Sequence, residues 1–177
     1  FTQNYLDKIP YRKDIANQLK EIWNYEKISA PFQEGNYTYF YKNDGLQNQY
    51  VLYKVKNLDS LHTAKVFLDP NKLSTDGTIA LNQVVFSKDG KTVAYSVSSG
   101  GSDWEEIQIM NTETGEKYPE VLKWVKFSGI AWAKNGFYYS RYDEPTKGKE
   151  YSNANEYMKI YYHTLGTLQT DDKLIYQ

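Results

Sequence analysis

The sequence contains no cysteine among its 177 residues and only two histidines. The missing thiols exclude disulfide bonds and every cysteine-ligated zinc or iron–sulfur site. Neither His62 nor His163 lies in a His-Glu-x-x-His segment or in another metal-ligand spacing. We therefore expect no metal site, and we interpret both residues as surface or sheet histidines.

The charge of the chain is nearly balanced and its apolar runs are short. With 21 Lys+Arg against 22 Asp+Glu the formal net charge is -1, and no basic block is present that could neutralise a phosphate backbone. Apolar runs reach only about five residues, whereas a membrane-spanning helix needs roughly 20. No charged start followed by an apolar stretch occurs at Phe1, so we expect no signal peptide in this sequence. Neither nucleic acid nor a membrane is expected as a partner, and the compartment stays open.

The sequence also lacks the common catalytic and nucleotide-binding motifs. The nearest match to the serine-hydrolase elbow Gly-x-Ser-x-Gly is the segment 100–104, in which Trp104 stands where the last glycine belongs. No Walker loop, Gly-x-Gly-x-x-Gly fingerprint or EF-hand series occurs, so no cofactor is expected. The adjacent carboxylates Glu105-Glu106 and Asp171-Asp172 would face opposite sides of a strand, which predicts solvated charge.

The first 30 residues carry a helical pattern. Apolar residues recur at helical spacing from Tyr11 to about Tyr25, and polar residues cover the other face. The apolar positions are Ile15, Leu19, Ile22 and Trp23. The pattern predicts one amphipathic helix, and residues 1–8 form a shorter helical lead-in before Pro10. We expect a helical segment over 1–30 and β-structure over 31–177.

The remaining sequence is rich in aromatic residues and repeats about every 50 residues. The chain holds 18 Tyr, 7 Phe and 4 Trp, which here alternate in short segments typical of strands. Three units are recognisable, with their last predicted strands centred on Tyr53, Ile109 and Tyr162. The segments 86–90 and 132–136 repeat an aromatic–small–Lys–turn arrangement, and their Asp-Gly and Asn-Gly pairs suit tight turns with positive φ.

Such a repeat is typical of the blades of a β-propeller, whereas an ordinary antiparallel sandwich with coincidental spacing is the alternative. Propellers close with about four to eight blades, but this sequence supplies only about three. An unclosed set of blades leaves two uncovered apolar faces. We therefore predict a mainly β chain, a partial β-propeller that belongs to a larger protein and self-associates when isolated.

Five segments resemble the amino-terminal part of the prolyl oligopeptidase family. In chain order they are residues 41–53, 66–78, 101–104, 125–128 and 161–167. The likeness extends from about Tyr11 to about Thr170, and runs such as Gly-Leu-Gln-Asn-Gln are long enough to be specific. The resemblance implies a serine peptidase that cleaves on the carboxyl side of proline. Its α/β-hydrolase domain would be capped by a seven-bladed propeller, of which about three blades are present here.

The resemblance also implies roles for particular residues. The segment 1–30 would pack on the hydrolase domain, and the Ser, Asp and His of the triad would lie in the carboxyl-terminal part, so no catalytic residue is assigned here. Phe127 of Val-Lys-Phe-Ser would line the apolar subsite for the residue two before proline; blade core is the alternative. Asp103 of Gly-Ser-Asp-Trp would make a structural polar contact. Gly129 departs from the family pattern, a change expected to alter only local packing.

The implied partners are short proline-containing peptides and the hydrolase domain of the same polypeptide. Two other functions compete with this interpretation. The blades could form a non-catalytic binding or scaffold protein, since propellers serve many functions. The parent could also be a related oligopeptidase that cuts after basic residues, although the segments match the proline-specific branch better.

Overall fold

The computed structural model describes residues 1–152 and 154–177. Two helices come first, α1 over Thr2–Leu6 and α2 over Arg12–Trp23, which confirms the predicted lead-in and amphipathic helix. The four apolar positions of α2 are each more than half exposed, and neither helix contains a buried residue. The apolar face of α2 is therefore uncovered by the described residues. Neither helix has the length and apolarity to cross a bilayer.

The first sheet has five strands, ordered β1-β3-β4-β5, with β2 also pairing β3. The strands are β1 (Lys27–Ile28), β2 (Phe32–Glu34), β3 (Tyr37–Asn43), β4 (Val51–Val55) and β5 (Lys65–Leu68). Strands β1 and β2 pair with opposite ends of the same edge of β3, so together they act as one interrupted inner strand. Sheet pairing starts at Lys27, inside the segment 1–30, and the division into domains stays a prediction.

The second sheet has eight strands and consists of two consecutive antiparallel meanders. The first contains β6 (Ile79–Phe86), β7 (Thr92–Ser99), β8 (Glu105–Asn111) and β9 (Lys117–Val125). The second contains β10 (Ala131–Ala133), β11 (Gly136–Arg141), β12 (Lys159–Thr164) and β13 (Lys173–Tyr176). The pair Val125–Arg141 joins them. With β2–β5 this gives three four-stranded units, here called blades 1, 2 and 3, which confirms the predicted partial propeller.

Two apolar cores lie between successive blades. The core between blades 1 and 2 contains Tyr39, Leu52, Val93 and Tyr95, and the core between blades 2 and 3 contains Ile107, Leu122, Phe137 and Tyr139. Strand β7 contributes to both cores, and its residues Thr92–Val97 are buried on both faces. Blade 2 is thus the central layer, and each neighbour packs on one of its faces.

The turns after the inner strands show how closely the blades approach. Gly90 follows β6 with a φ of 68°, as predicted for an Asp-Gly turn. A Cβ at Gly90 would come within 2.4 Å of the backbone of Gly35 in blade 1. The same prediction is wrong for Gly136, which lies inside β11 without a positive φ. There the positive φ falls on Lys134, and Gly136 is required because a Cβ would lie 1.9 Å from the carbonyl oxygen of His163.

Five strand connections meet at one end of the blades, here called the loop end. They comprise residues 44–50, 69–78, 100–104 and 126–130 and, from the connection between β11 and β12, residues 142–152 and 154–158. Helix α2 joins the sheet at this end, where the Nζ of Lys27 donates to the carbonyl oxygens of Trp23 and Gly45. The loop end therefore carries both the helical segment and Phe127.

Candidate functional site

Phe127 lies in the connection 126–130 between β9 of blade 2 and β10 of blade 3. Its side chain is 75% exposed, whereas Val125, Ser128 and Ile130 around it are buried. The structure therefore places Phe127 outside both apolar cores, and the blade-core interpretation does not fit this position. The ring projects from the loop end, where helix α2 also joins the sheet.

The backbone around Phe127 is held by hydrogen bonds of its neighbour Ser128. The Ser128 hydroxyl oxygen accepts from the backbone N–H of Ser140 at 2.7 Å, and its carbonyl oxygen accepts from Gln83 Nε2 at 2.7 Å. Phe127 itself has a φ of 54°, in the left-handed region that costs roughly 1–2 kcal/mol for a residue with a Cβ. These anchors to blades 2 and 3 hold the backbone in a conformation that turns the ring outward.

Lys126 links Phe127 to the neighbouring loop. Its Nζ lies 5.0 Å from the ring centre of Trp104 and 5.6 Å from that of Phe127. Asp103 Oδ2 lies 3.7 Å from the same Nζ, so Asp103 does make a polar contact, with Lys126 as its partner. The Lys126 side chain is only 12% exposed, which strengthens cation–π attraction because little water competes.

Trp104 is the fixed centre of this group. Its Nε1 donates to the carbonyl oxygen of Glu150 at 2.8 Å, and its ring meets Trp124 and Tyr142 edge to face at 5.7 and 6.0 Å. We call Trp104, Trp124, Phe127 and Tyr142, together with Lys126, the loop-end aromatic cluster. A cavity of about 300 Å³ adjoins it, walled in part by Trp104, Trp124 and Tyr151. The family resemblance implied roles for Phe127 and Asp103, but it implied none for Lys126.

A buried polar network lies between blades 2 and 3, away from this cluster. His163 Nδ1 is 2.7 Å from Asp172 Oδ1, and both side chains are completely buried. The Tyr139 hydroxyl donates to Asp172 Oδ2 at 2.6 Å, and burial together with this bond raises the pKa of Tyr139. The prediction of solvated charge is therefore wrong for Asp172, because it satisfies two buried partners. His163 is a sheet histidine, as predicted, but lies inside the protein.

The network also connects the two blades. Glu120 on β9 accepts from the backbone N–H of Gly166 at 2.8 Å, and its Oε1 lies 3.9 Å from His163 Nε2. Gln169 bonds both the N–H and the carbonyl oxygen of Lys123 through its side-chain amide. These contacts make the network a structural junction between blade 2 and blade 3.

Neither histidine is arranged for catalysis. His62 lies in the exposed 3₁₀ segment Leu58–Thr63, and His163 is bound to Asp172. Among the described residues no serine is hydrogen-bonded to either histidine. In the same part of the chain no group of three or more His, Cys, Asp or Glu side chains is placed to hold a metal ion. What the loop end offers is therefore an aromatic contact surface.

Comparison with known proteins identifies the family. The family model described as "Prolyl oligopeptidase, N-terminal beta-propeller domain" matches residues 1–177. This chain is a member of the prolyl oligopeptidase family. The prolyl endopeptidase of Elizabethkingia miricola is 54% identical over 176 residues, which cover 99% of this chain and 24% of that protein. Prolyl oligopeptidase A of Amanita bisporigera is 35% identical over 203 residues, covering 100% of this chain and 26% of that protein.

Solved structures of prolyl oligopeptidases agree with the observed fold. Prolyl oligopeptidase B from Galerina marginata, in a variant bound to a 35mer hydrolysis and macrocyclization substrate, matches with a TM-score of 0.88 and 33% identity. The match covers 99% of this chain and 27% of that one. Oligopeptidase B from Leishmania major has a TM-score of 0.76 at 20% identity, which shows a shared fold alone. The chain thus spans about a quarter of the length of the relatives it matches.

Proposed function

We propose that this chain is the propeller-forming amino-terminal part of a serine peptidase that cleaves short peptides on the carboxyl side of proline. The observation that carries the proposal is the 54% identity to a prolyl endopeptidase over 99% of the chain. A non-catalytic propeller protein has no support among the relatives, which are named as peptidases. An oligopeptidase that cuts after basic residues has less support, since these relatives are named as prolyl peptidases.

The proposed reaction is acyl transfer to a serine. A histidine base oriented by a carboxylate would take the proton of the serine hydroxyl, and backbone N–H groups would stabilise the oxyanion. None of these groups belongs to the described residues, so the whole catalytic set would come from the hydrolase domain. The part of this chain would be to restrict access, so that short peptides reach the serine and folded proteins do not.

The helical segment supplies the proposed contact with that domain. Ile15, Leu19, Ile22 and Trp23 form an apolar face that the described residues leave open. An isolated helix of this length is marginal in water, so its apolar face needs a partner surface. We therefore place the hydrolase domain against α2 at the loop end, where Phe127 would face it.

Phe127 is the proposed substrate contact. Its exposed ring at the loop end supports a role in the apolar subsite for the residue two before proline. Asp103 has a supporting role, since it pairs with the neighbouring Lys126.

Two observations test the parent function. The coding sequence beyond Gln177 should contain Gly-x-Ser-x-Gly, followed by an Asp and then a His. The 177-residue chain alone should not hydrolyse a chromogenic Gly-Pro substrate, because within the described residues neither His62 nor His163 is hydrogen-bonded to a serine. Turnover that persists after re-purification would overturn this, and a downstream sequence without the elbow would favour a non-catalytic propeller.

The subsite is tested by Phe127→Ala in the full-length peptidase. Because the ring is exposed, the melting temperature should change little, while kcat/KM should fall about tenfold for substrates with a bulky apolar residue two before proline. Substrates with glycine at that position serve as the internal control and should be cleaved nearly as before. An equal loss on both substrates would remove Phe127 from the subsite.

A further inference from the structure

We infer that Lys126 is a positioning residue that sets the specificity of the subsite by holding the ring of Phe127. This inference rests on the proposed role of Phe127 and adds a residue that the sequence motifs did not single out. Three contacts carry it: Lys126 Nζ lies 5.0 Å from the Trp104 ring centre, 5.6 Å from the Phe127 ring centre and 3.7 Å from Asp103 Oδ2.

The first step is that the position of the Lys126 ammonium is itself fixed. Trp104 cannot turn freely, because its Nε1 donates to the carbonyl oxygen of Glu150 and its ring packs against Trp124 and Tyr142. Lysine usually keeps its ammonium in water, but this side chain is only 12% exposed. The ammonium is therefore held between a rigid indole and a carboxylate.

The second step is that the ring of Phe127 has few other contacts. Its backbone is fixed through Ser128, yet the side chain is 75% exposed and lies in neither apolar core. An exposed aromatic side chain without a partner exchanges rotamers freely, and ordering it on substrate binding weakens affinity. The attraction of the ammonium for the ring face restricts that motion before the substrate arrives.

The third step separates Lys126 from its neighbour Lys123. Lys123 Nζ lies 3.8 Å from Glu106 Oε1, and its side chain is more than half exposed. Within the described part of the chain it makes no cation–π contact, whereas Lys126 makes two. Both lysines therefore pair with a carboxylate, but only Lys126 approaches Phe127. Lys123 is a matched control for removing a positive charge from this region.

The test compares Lys126→Met, Lys126→Arg and Lys123→Met in the full-length peptidase. Methionine keeps an unbranched stem and removes the charge, whereas arginine retains the cation–π contact. For substrates with a bulky apolar residue two before proline, Lys126→Met should raise KM about three- to tenfold with little change in kcat. Lys126→Arg should restore the KM, and glycine substrates and Lys123→Met should behave like the wild type. An unchanged KM in Lys126→Met, or the same rise with glycine substrates, would overturn the inference.

A measurement on the 177-residue chain keeps this failure separate from a failure of the proposed function. The side-chain CH₂ protons next to Nζ of Lys126 should resonate upfield of those of Lys123 in NMR spectra, because Lys126 Nζ lies over two aromatic rings. Phe127→Ala should remove part of that shift and leave the part due to Trp104. Absence of the shift would overturn the contact itself. If the expected upfield shift is present but Phe127→Ala leaves the substrate specificity unchanged, the contact exists, and both the subsite proposal and this inference are overturned.

Discussion

Two buried tyrosines show how the same side chain plays different parts at different positions. Tyr39 lies in the core between blades 1 and 2, and its hydroxyl has no hydrogen-bond partner within the described residues. Tyr139 lies in the core between blades 2 and 3, donates to Asp172 at 2.6 Å and accepts from Gln169 at 3.1 Å. Removing the Tyr39 hydroxyl removes a buried polar group that has no partner, which costs little or nothing. Removing the Tyr139 hydroxyl leaves the buried Asp172 carboxylate without one of its donors, which is costly.

We expect Tyr39→Phe to be neutral or slightly stabilising at pH 7, and Tyr139→Phe to lose about 1–3 kcal/mol of unfolding free energy.

Burial raises the pKa of Tyr39 to about 12. The unfolded chain therefore releases the tyrosine proton first, and stability that is present below pH 10 is lost as the pH rises towards 12. Denaturant titrations at pH 7 and pH 11 measure both effects. Equal losses for the two variants at pH 7 would contradict the assignment.

Some residues of the site were predictable from the sequence and others were not. The family motif singled out Phe127 and Asp103, because runs such as Val-Lys-Phe-Ser are recognisable in the chain itself. The burial of Asp172 could not be foreseen, since it depends on Tyr139 and His163, which reach it only through the sheet. The sequence Asp171-Asp172 is the same whether the side chains are solvated or buried, so it carries no signal for the burial of Asp172.

At the scale of elements, the hairpin between β10 and β11 shows why a glycine can be required without a turn. The two-residue loop is Lys134-Asn135, and Gly136 already pairs with Thr164 inside the sheet. The hydrophobic and turn patterns predicted the hairpin correctly, but the reason for the glycine is the His163 backbone of the neighbouring strand. Such contacts between strands have no signature in the local sequence.

Gly136→Ala should therefore destabilise the chain by about 1–3 kcal/mol, because the new methyl group must push β12 away. Gly129→Ala is the matched control, since Gly129 has no positive φ and a Cβ there meets nothing within 4 Å. Its effect should stay within about 0.5 kcal/mol. Thermal unfolding of both variants decides the matter, and an unaffected Gly136→Ala variant would mean that β11 and β12 are further apart than described.

Helix α2 was predicted closely from the sequence, whereas the outer strand β9 was not predicted at all. The helix was predicted within two residues at each end, because its apolar residues recur at helical spacing. Strand β9 was missed, since Pro119 lies within it and one of its buried positions is the charged Glu120. Proline is tolerated there because β9 is the outer strand of blade 2, and among the described residues it pairs with blade 3 at Val125 and not at Pro119.

At the scale of the whole molecule, the three blades form an open series whose two ends differ. On blade 3, Tyr138 and Tyr176 point away from blade 2, with Tyr176 69% exposed. On blade 1, by contrast, Phe40 and Val51 point away from blade 2 and are nonetheless buried. The outer face of blade 1 is thus more shielded than the count of blades predicts, and of the two end blades blade 3 carries more uncovered apolar surface.

This asymmetry sharpens the prediction that the isolated chain self-associates. Covering apolar surface is worth roughly 25 cal/mol per Å², so two copies should associate through the open face of blade 3 and dimerise at about 100 μM. Changing both Tyr138 and Tyr176 to serine should shift the sedimentation pattern towards monomer. Changing Ile15 and Ile22 on α2 to serine is the control and should leave the dimer in place. If the wild-type chain sediments as a monomer and binds no apolar dye, the prediction of self-association through blade 3 is wrong. If the dimer is lost only in the helix variant, the dimer contact lies on α2 and not on blade 3.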